Sequence, residues 1–357
     1  MKRCLVIATG LALLSSAPVS ACMPVSESPA PIAVAGEEAV IAYDSRTGTE
    51  RFIRKATFDT RDRDFGFLVP TPSVPTVSES SNELFNRLGG LVQTPVIEKK
   101  TRFLWGRQET ESTTSALSMK SGSAPRSFPQ VEVQEIKRVG DFEAAVLKAT
   151  DTNALMGWLK KYGYVSSPEL KEWVEPYVRQ GYAITAFRIA ADVRDKHTPG
   201  VQMHLKPVCL TFQTPAPFYP YREGKNAVAR DGRLLRVYYL GDKRVTGRLG
   251  DSLANASEEW GANTTQSRSV SPDDKVRLCA KTGLEPAQVG DRLTVFEDRA
   301  SLRARKDLFF TAATDQALQV PTRIEYNDID VSSAVLPIAG SLLAGTGLAW
   351  WVRRRRR

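Results

Sequence analysis

The sequence predicts an α+β fold: a largely antiparallel sheet with a few short helices, an N-terminal signal peptide and one C-terminal transmembrane helix. Three observations carry this. Strand-like segments outnumber helical ones and come in runs, which favours α+β over alternating βαβ units. The helical segments open on capping residues. Both chain ends hold an apolar run beside basic residues.

Lys2 and Arg3 precede an apolar run at 4–17, and Val19, Ser20 and Ala21 supply the small residues of a cleavage site. Residues 1–21 thus have the pattern of a secretory signal peptide. A second reading overlaps it: Val19-Ser20-Ala21-Cys22 has the lipobox pattern, in which Cys22 is acylated and becomes the new N-terminus. Residues 22–36, rich in Pro, Ser and Ala, read as an extended linker. The body is expected at 37–325.

Within the body, 39–43, 50–59 and 65–69 read as strands. The third ends in the proline-rich stretch 70–75, which must leave the sheet. A short helix with a glycine stop is expected at 81–90. Residues near 108–128 are rich in Ser, Thr and Gly and read as a mobile loop. Strands follow at 131–139 and 142–148. Asp151 and Gly163 bracket one helix; Ser167, Pro168 and Gly181 bracket another, with Pro176 predicting a kink or second start. Strands are expected at 182–189 and, broken by Pro207, at 201–213. Asp231-Gly232, between 227–229 and 234–239, predicts a hairpin. The polar stretch 251–272 reads as a second mobile loop. A late strand at 292–296 and a short helix near 302–308 complete the body.

Residues 331–352 form an uncharged apolar run of about twenty residues, enough to cross a hydrocarbon core. The membrane helix is set at 332–352. Trp350 and Trp351 stand at its end, where aromatic rings favour the interface. Arg353, Arg354, Arg355, Arg356 and Arg357 follow, and the positive-inside rule places them in the cytoplasm with the body outside.

The formal charge of +9 would suggest nucleic-acid binding, but its distribution argues otherwise. Setting aside Lys2, Arg3 and the five terminal arginines leaves 42 basic residues against 40 acidic ones, a net +2. Counterion release needs a basic surface. No nucleic-acid partner is expected, and the excess charge is targeting information.

Four stretches resemble an uncharacterised bacterial family, domain of unknown function 2330. They are Phe65-Gly-Phe-Leu-Val-Pro-Thr-Pro-Ser-Val-Pro75, the segment from Ala154 to Tyr164, the segment from Tyr177 to Arg188, and the segment from Leu205 to Pro215. Together they span most of 22–310. The resemblance implies an exported protein with a membrane tail; the family has no established activity and so implies no catalytic residues. Its members carry a Cys-Gly-Gly stretch after the signal, whereas here Cys22 is followed by Met23 and Pro24.

Candidate site residues are few. Cys209 and Cys279 form a candidate disulfide pair for an oxidising compartment, worth about 4 kcal/mol in the chain-entropy model. The alternative is two separate buried thiols in strand-like runs. His197 and His204 are the only histidines and lack the spacing of a metal pair. Asp59, Asp62 and Asp64 interleave with Arg61 and Arg63, which suits a solvated turn better than a cation site. Tyr219, Tyr221, Tyr238 and Tyr239 either line a ligand groove or cover a sheet face. No catalytic, cofactor-binding or metal-ligating residue is assigned, and no cofactor is expected. The expected function is a membrane-anchored extracytoplasmic protein with a non-catalytic binding or structural role in the envelope. The alternative is an extracytoplasmic hydrolase of envelope material. The membrane is the expected partner through the C-terminal helix; a protein or glycan partner stays open.

Overall fold

The computed structural model describes residues 23–26, 33–59, 64–93, 96–104, 133–149, 151–164, 167–198, 201–225, 227, 229, 231–320 and 322–330. The expected signal peptide, Cys22, the loop near 108–128, the apolar run and the arginine tail lie outside them. Among the described residues no helix is long and apolar enough to cross a membrane. The chain divides into two compact units, one from Met1–Val92 with Pro125–Gln319 and one from Gln93–Ala124 with Val320–Arg357.

Antiparallel sheets dominate the first unit, as the alternating segments predict. A five-stranded sheet runs β1 (Met23–Ser26), β4 (Phe65–Thr71), β9 (Ala183–Ile189), β8 (Phe142–Lys148), β7 (Val133–Val139). An eight-stranded sheet runs β16 (Asn263–Ser269), β17 (Arg292–Asp298), β13 (Leu235–Gly241), β2 (Ala33–Asp44), β3 (Thr49–Asp59), β11 (Val208–Gln213), β5 (Thr76–Glu79). β10 (Met203–His204) also pairs with β3 in it. Its β13–β2 pairing is parallel. A four-stranded sheet runs β12 (Phe218–Tyr219), β18 (Asp307–Ala312), β14 (Val245–Gly250), β15 (Glu258–Glu259). The helices are α1 (Asn82–Gln93), α2 (Thr152–Lys161), α3 (Pro168–Arg179), α4 (Ala191–Arg194) and α5 (Pro272–Cys279). The second unit holds β6 (Val96–Leu104) paired in parallel with β19 (Thr322–Asp330).

Side-chain alternation sorts the first unit into layers. Ala39 and Ile41 of β2 join Phe52, Ala56 and Phe58 of β3 in a cluster shared with Phe67 and Phe187 of the five-stranded sheet and Leu308 and Phe310 of the four-stranded one. The intervening residues Val40, Ala42 and Ile53 face the other way, onto Leu84, Phe85 and Leu88 of α1 and Leu278 of α5. The far face of the five-stranded sheet packs Leu68, Ala145 and Ile184 against Leu159 of α2 and Trp173, Val174 and Tyr177 of α3. The order is therefore helices, sheet, sheet, helices. A strand covered on both faces reads as an apolar run rather than as alternation, and β4 is buried along its whole length.

The caps behave as expected. Asp151 accepts from the Ala154 amide at 2.9 Å, and Ser167 from the Leu170 amide at 3.1 Å. Several expectations need correction. The linker 22–36 contains β1 and the start of β2. β4 runs through Pro70 to Thr71; among the described residues β1 pairs only as far as Leu68, and no donor from Pro70 is needed on that side. α1 passes its glycines because side chains from β16 cap it: Gln266 donates to the Val92 carbonyl at 2.9 Å and Arg268 to that of Leu91. α3 continues through Pro176 as one helix. Asp231-Gly232 does form a turn, with Gly232 at φ +76°, but β13 leaves it to pair with β2 and β17, and residues 227 and 229, on the expected partner segment, are in no strand. The polar stretch 251–272 holds β15 and β16. Residues 302–306 are irregular and 307 begins β18, with no helix there.

Candidate functional site

The densest chemistry of the first unit is a buried ion network where β2, β3 and β17 meet the 221–223 and 301–303 segments. Glu37, on the inward face of β2, accepts from Arg54 Nε at 2.7 Å and from Arg303 Nη1 at 3.1 Å. Arg303 also faces Asp298 at 3.6 Å, and the Tyr221 hydroxyl donates to Asp298 at 2.8 Å. The Arg303 amide donates to Glu223 at 2.9 Å, and Arg233 closes the chain by pairing with Glu223. All six charged residues are buried. Three acidic side chains stand against three arginines, so the network balances its own charge. Burial works against the charged form of Glu37, but Arg54 and Arg303 outweigh it and hold its carboxyl at about 2. Arg54 also lies 4.7 Å from the Phe67 ring centroid, which joins the two facing sheets through a cation–π contact.

A second cluster joins α3 to β18. Asp307 accepts from the Tyr177 hydroxyl at 2.7 Å and from the Arg222 amide at 3.2 Å, and Arg222 Nε lies 3.4 Å away. Arg222 reaches on to Asp251 at 2.7 Å. Burial here outweighs Arg222 and raises the Asp307 carboxyl to about 6. Glu50 shows the same effect more strongly. It is fully buried, accepts one hydrogen bond from the Phe218 amide at 2.7 Å, and burial lifts its acid well above the usual range.

Accessible chemistry is found in an open cleft of about 380 Å³, lined by Tyr43, Asp44, Arg46, Asp242, Lys275, Gln288 and Asp291 among others. It forms where the β2–β3 and β13–β14 turns meet α5 and the 286–291 turn. Gly290 lets the chain pass there: a Cβ on it would come within 2.2 Å of the Gly241 backbone. The cleft's charges engage one another. Arg46 pairs with Asp44 at 3.2 Å, Lys275 with Asp291 at 2.6 Å, and Ser45 donates to Asp242 at 2.6 Å. Such a recess can hold a polar ligand by exchanging these contacts.

The residues singled out in the sequence scatter. Cys209 and Cys279 share the apolar cluster under α1 and α5, but stand as free thiols, not a disulfide. Cys279 ends helix α5 rather than lying in a strand. Burial pushes both thiols up, Cys279 to about 11, away from reactive thiolate character. His204 meets Thr57 at 3.2 Å on an exposed face, and His197 follows α4; no group of three potential metal ligands forms among the described residues. Asp64 is held by Arg188 at 2.6 Å and Arg194 at 2.5 Å. Asp62 and the side chain of Asp59 lie outside the described residues. Tyr219, Tyr221, Tyr238 and Tyr239 are all buried and cover sheet faces instead of lining a groove.

The network residues escaped the sequence reading. Their signal was present: Glu37 and Arg54 occupy inward positions in the strand alternation, where an apolar residue is expected. A charged pair at inward positions of neighbouring strands marks a buried ion pair, not a break in the pattern.

Layered sheets joined by a neutral internal charge network define an α+β body with an open polar recess. The chain belongs to the bacterial family described as "Uncharacterized protein conserved in bacteria (DUF2330)", which it matches over residues 16–324. No curated protein and no solved structure matches it.

Proposed function

We propose that the protein is a membrane-anchored extracytoplasmic protein whose body has a non-catalytic binding or structural role in the cell envelope. The observation that carries this is the internal matching of charge. The buried acids and arginines of the body hold its sheets together, and the charges of the open cleft are engaged with one another. An active site keeps a poised acid, base or nucleophile facing its substrate; among the described residues the strongly shifted carboxyls, Glu37, Glu50 and Asp307, are all enclosed. Export and anchoring are supported by the sequence ends: a signal-peptide pattern before the body, and an apolar run closed by five arginines after it.

Membrane fractionation tests the anchor. The full chain is expected to stay in the membrane pellet through an alkaline carbonate wash. Deletion of residues 331–357 combined with Cys22→Ala, which also removes the lipidation site, is expected to release the body into the soluble fraction. Release of the full chain by carbonate contradicts the proposal, as does retention of the doubly altered chain as an integral membrane protein.

A further inference from the structure

The two strands of the second unit place a part of the chain distant in sequence next to the start of the apolar run. β6 and β19 are each nine residues long and pair in parallel, in a register running from Thr322 opposite Val96 to Asp330 opposite Leu104. Parallel pairing brings both C-terminal ends to the same end of the ribbon. Asp330 is followed directly by the uncharged run 331–352. The backbone of Leu104 therefore lies about 5 Å, one strand spacing, from the last residue before that run. Val96 lies at the opposite end, eight steps of roughly 3.3 Å or about 26 Å away. The register also sets Lys99 opposite Glu325 and Arg102 opposite Asp328.

A two-stranded ribbon alone is marginal in water. Fixing one of its ends at a surface suppresses fraying there. The headgroup layer on each side of a bilayer is about 5–7 Å deep, which at roughly 3.3 Å per residue spans the last two residues of a strand.

We infer that the ribbon end formed by Phe103, Leu104, Ile329 and Asp330 meets the lipid headgroups, while the end formed by Val96 and Thr322 stands clear in water. The inference rests on the proposed membrane crossing by 331–352 and deepens it. The membrane contact then includes β6, a strand that precedes most of the body in sequence.

Photo-cross-linking tests it. The full chain carries a benzophenone side chain at position 104, 96 or 329 and is reconstituted into vesicles of phosphatidylethanolamine and phosphatidylglycerol. After flotation and illumination, lipid adducts are read by mass spectrometry. Adducts are expected at 104 and 329, falling to the unilluminated background at 96. If the probe at 104 disturbs folding, position 329 on the partner strand reads the same end. Floated protein with no adduct at 104 or 329 overturns the inference, and so do equal adducts at 96 and 104. Protein that fails to float overturns the membrane reading itself, a result distinct from either.

Discussion

Glu37→Gln tests the ion network where its consequence is largest. The substitution keeps the shape of the side chain and removes one of the three negative charges, leaving Arg54 and Arg303 buried beside a neutral amide. Two routes give the magnitude. Glu37 is held at about 2 against an ordinary 4.5, and 2.5 pKa units correspond to about 3 kcal/mol. Removing one partner of a buried ion pair costs about 3–5 kcal/mol. Both point to a loss of about 3 kcal/mol or more at neutral pH. The assay is urea unfolding of the full chain in mild detergent, followed by the fluorescence of the core tryptophans Trp173 and Trp260. The pH dependence sharpens it. Because the folded pKa of Glu37 is depressed, its contribution is complete above about 4.5 and is lost as pH falls toward 2. The gap between wild type and variant should therefore shrink over that window. A loss below about 1 kcal/mol, or a gap constant from pH 7 to 3, refutes the assignment of Glu37 as the charged centre of the network.

Other predictions follow from neighbouring groups. Glu50 is the opposite case: burial raises its acid, so its ionisation opposes folding as pH rises above the unfolded value. Glu50→Gln should gain stability relative to wild type between pH 4.5 and 7, read from paired urea midpoints. Asp307, raised to about 6, should cost the fold up to about 3 kcal/mol as pH climbs from 3.8 through 6. Asp307→Asn should flatten that part of the stability–pH curve, whatever its effect on absolute stability. Gly290→Ala places a Cβ within 2.2 Å of the Gly241 backbone, which cannot yield, and should cost roughly 1–3 kcal/mol in thermal or urea unfolding. Gly89→Ala meets nothing within 4 Å in α1 and should stabilise by up to about 1 kcal/mol.

How far the structure was legible in the sequence differs from element to element. β2, β3, β4 and β9 were readable because their hydrophobic pattern is local: alternation between the two apolar layers, or an unbroken run where both faces are covered. α2 and α3 were readable because Asp151, Ser167 and Pro168 act within one turn. Where the partner is distant, local signals misled. Asp231-Gly232 turns the chain, but β13 pairs with a strand some two hundred residues earlier in the chain, so the turn does not make a hairpin. β16 looks like a loop because its polar residues are satisfied by the end of α1, and only the folded chain supplies those carbonyls. Residues 277–280 read as a strand-like run because four residues cannot separate a helix from a strand by period; the Ser271 and Asp274 capping box decides it. The ion network was the hardest to see. Glu37 and Arg303 are far apart in sequence, and no local pattern announces that a charge on β2 will meet its counterion from an irregular segment before β18.

In the proposed topology the body and the arginine end lie on opposite sides of one membrane. Reporter fusions measure this directly in cells of a bacterium with a periplasm: alkaline phosphatase, active outside the cytoplasm, and a green fluorescent protein that fluoresces only within it, each joined after residue 320 or after Arg357. Phosphatase activity is expected at 320 and fluorescence at 357. Phosphatase activity after Arg357, or fluorescence after residue 320, contradicts that topology.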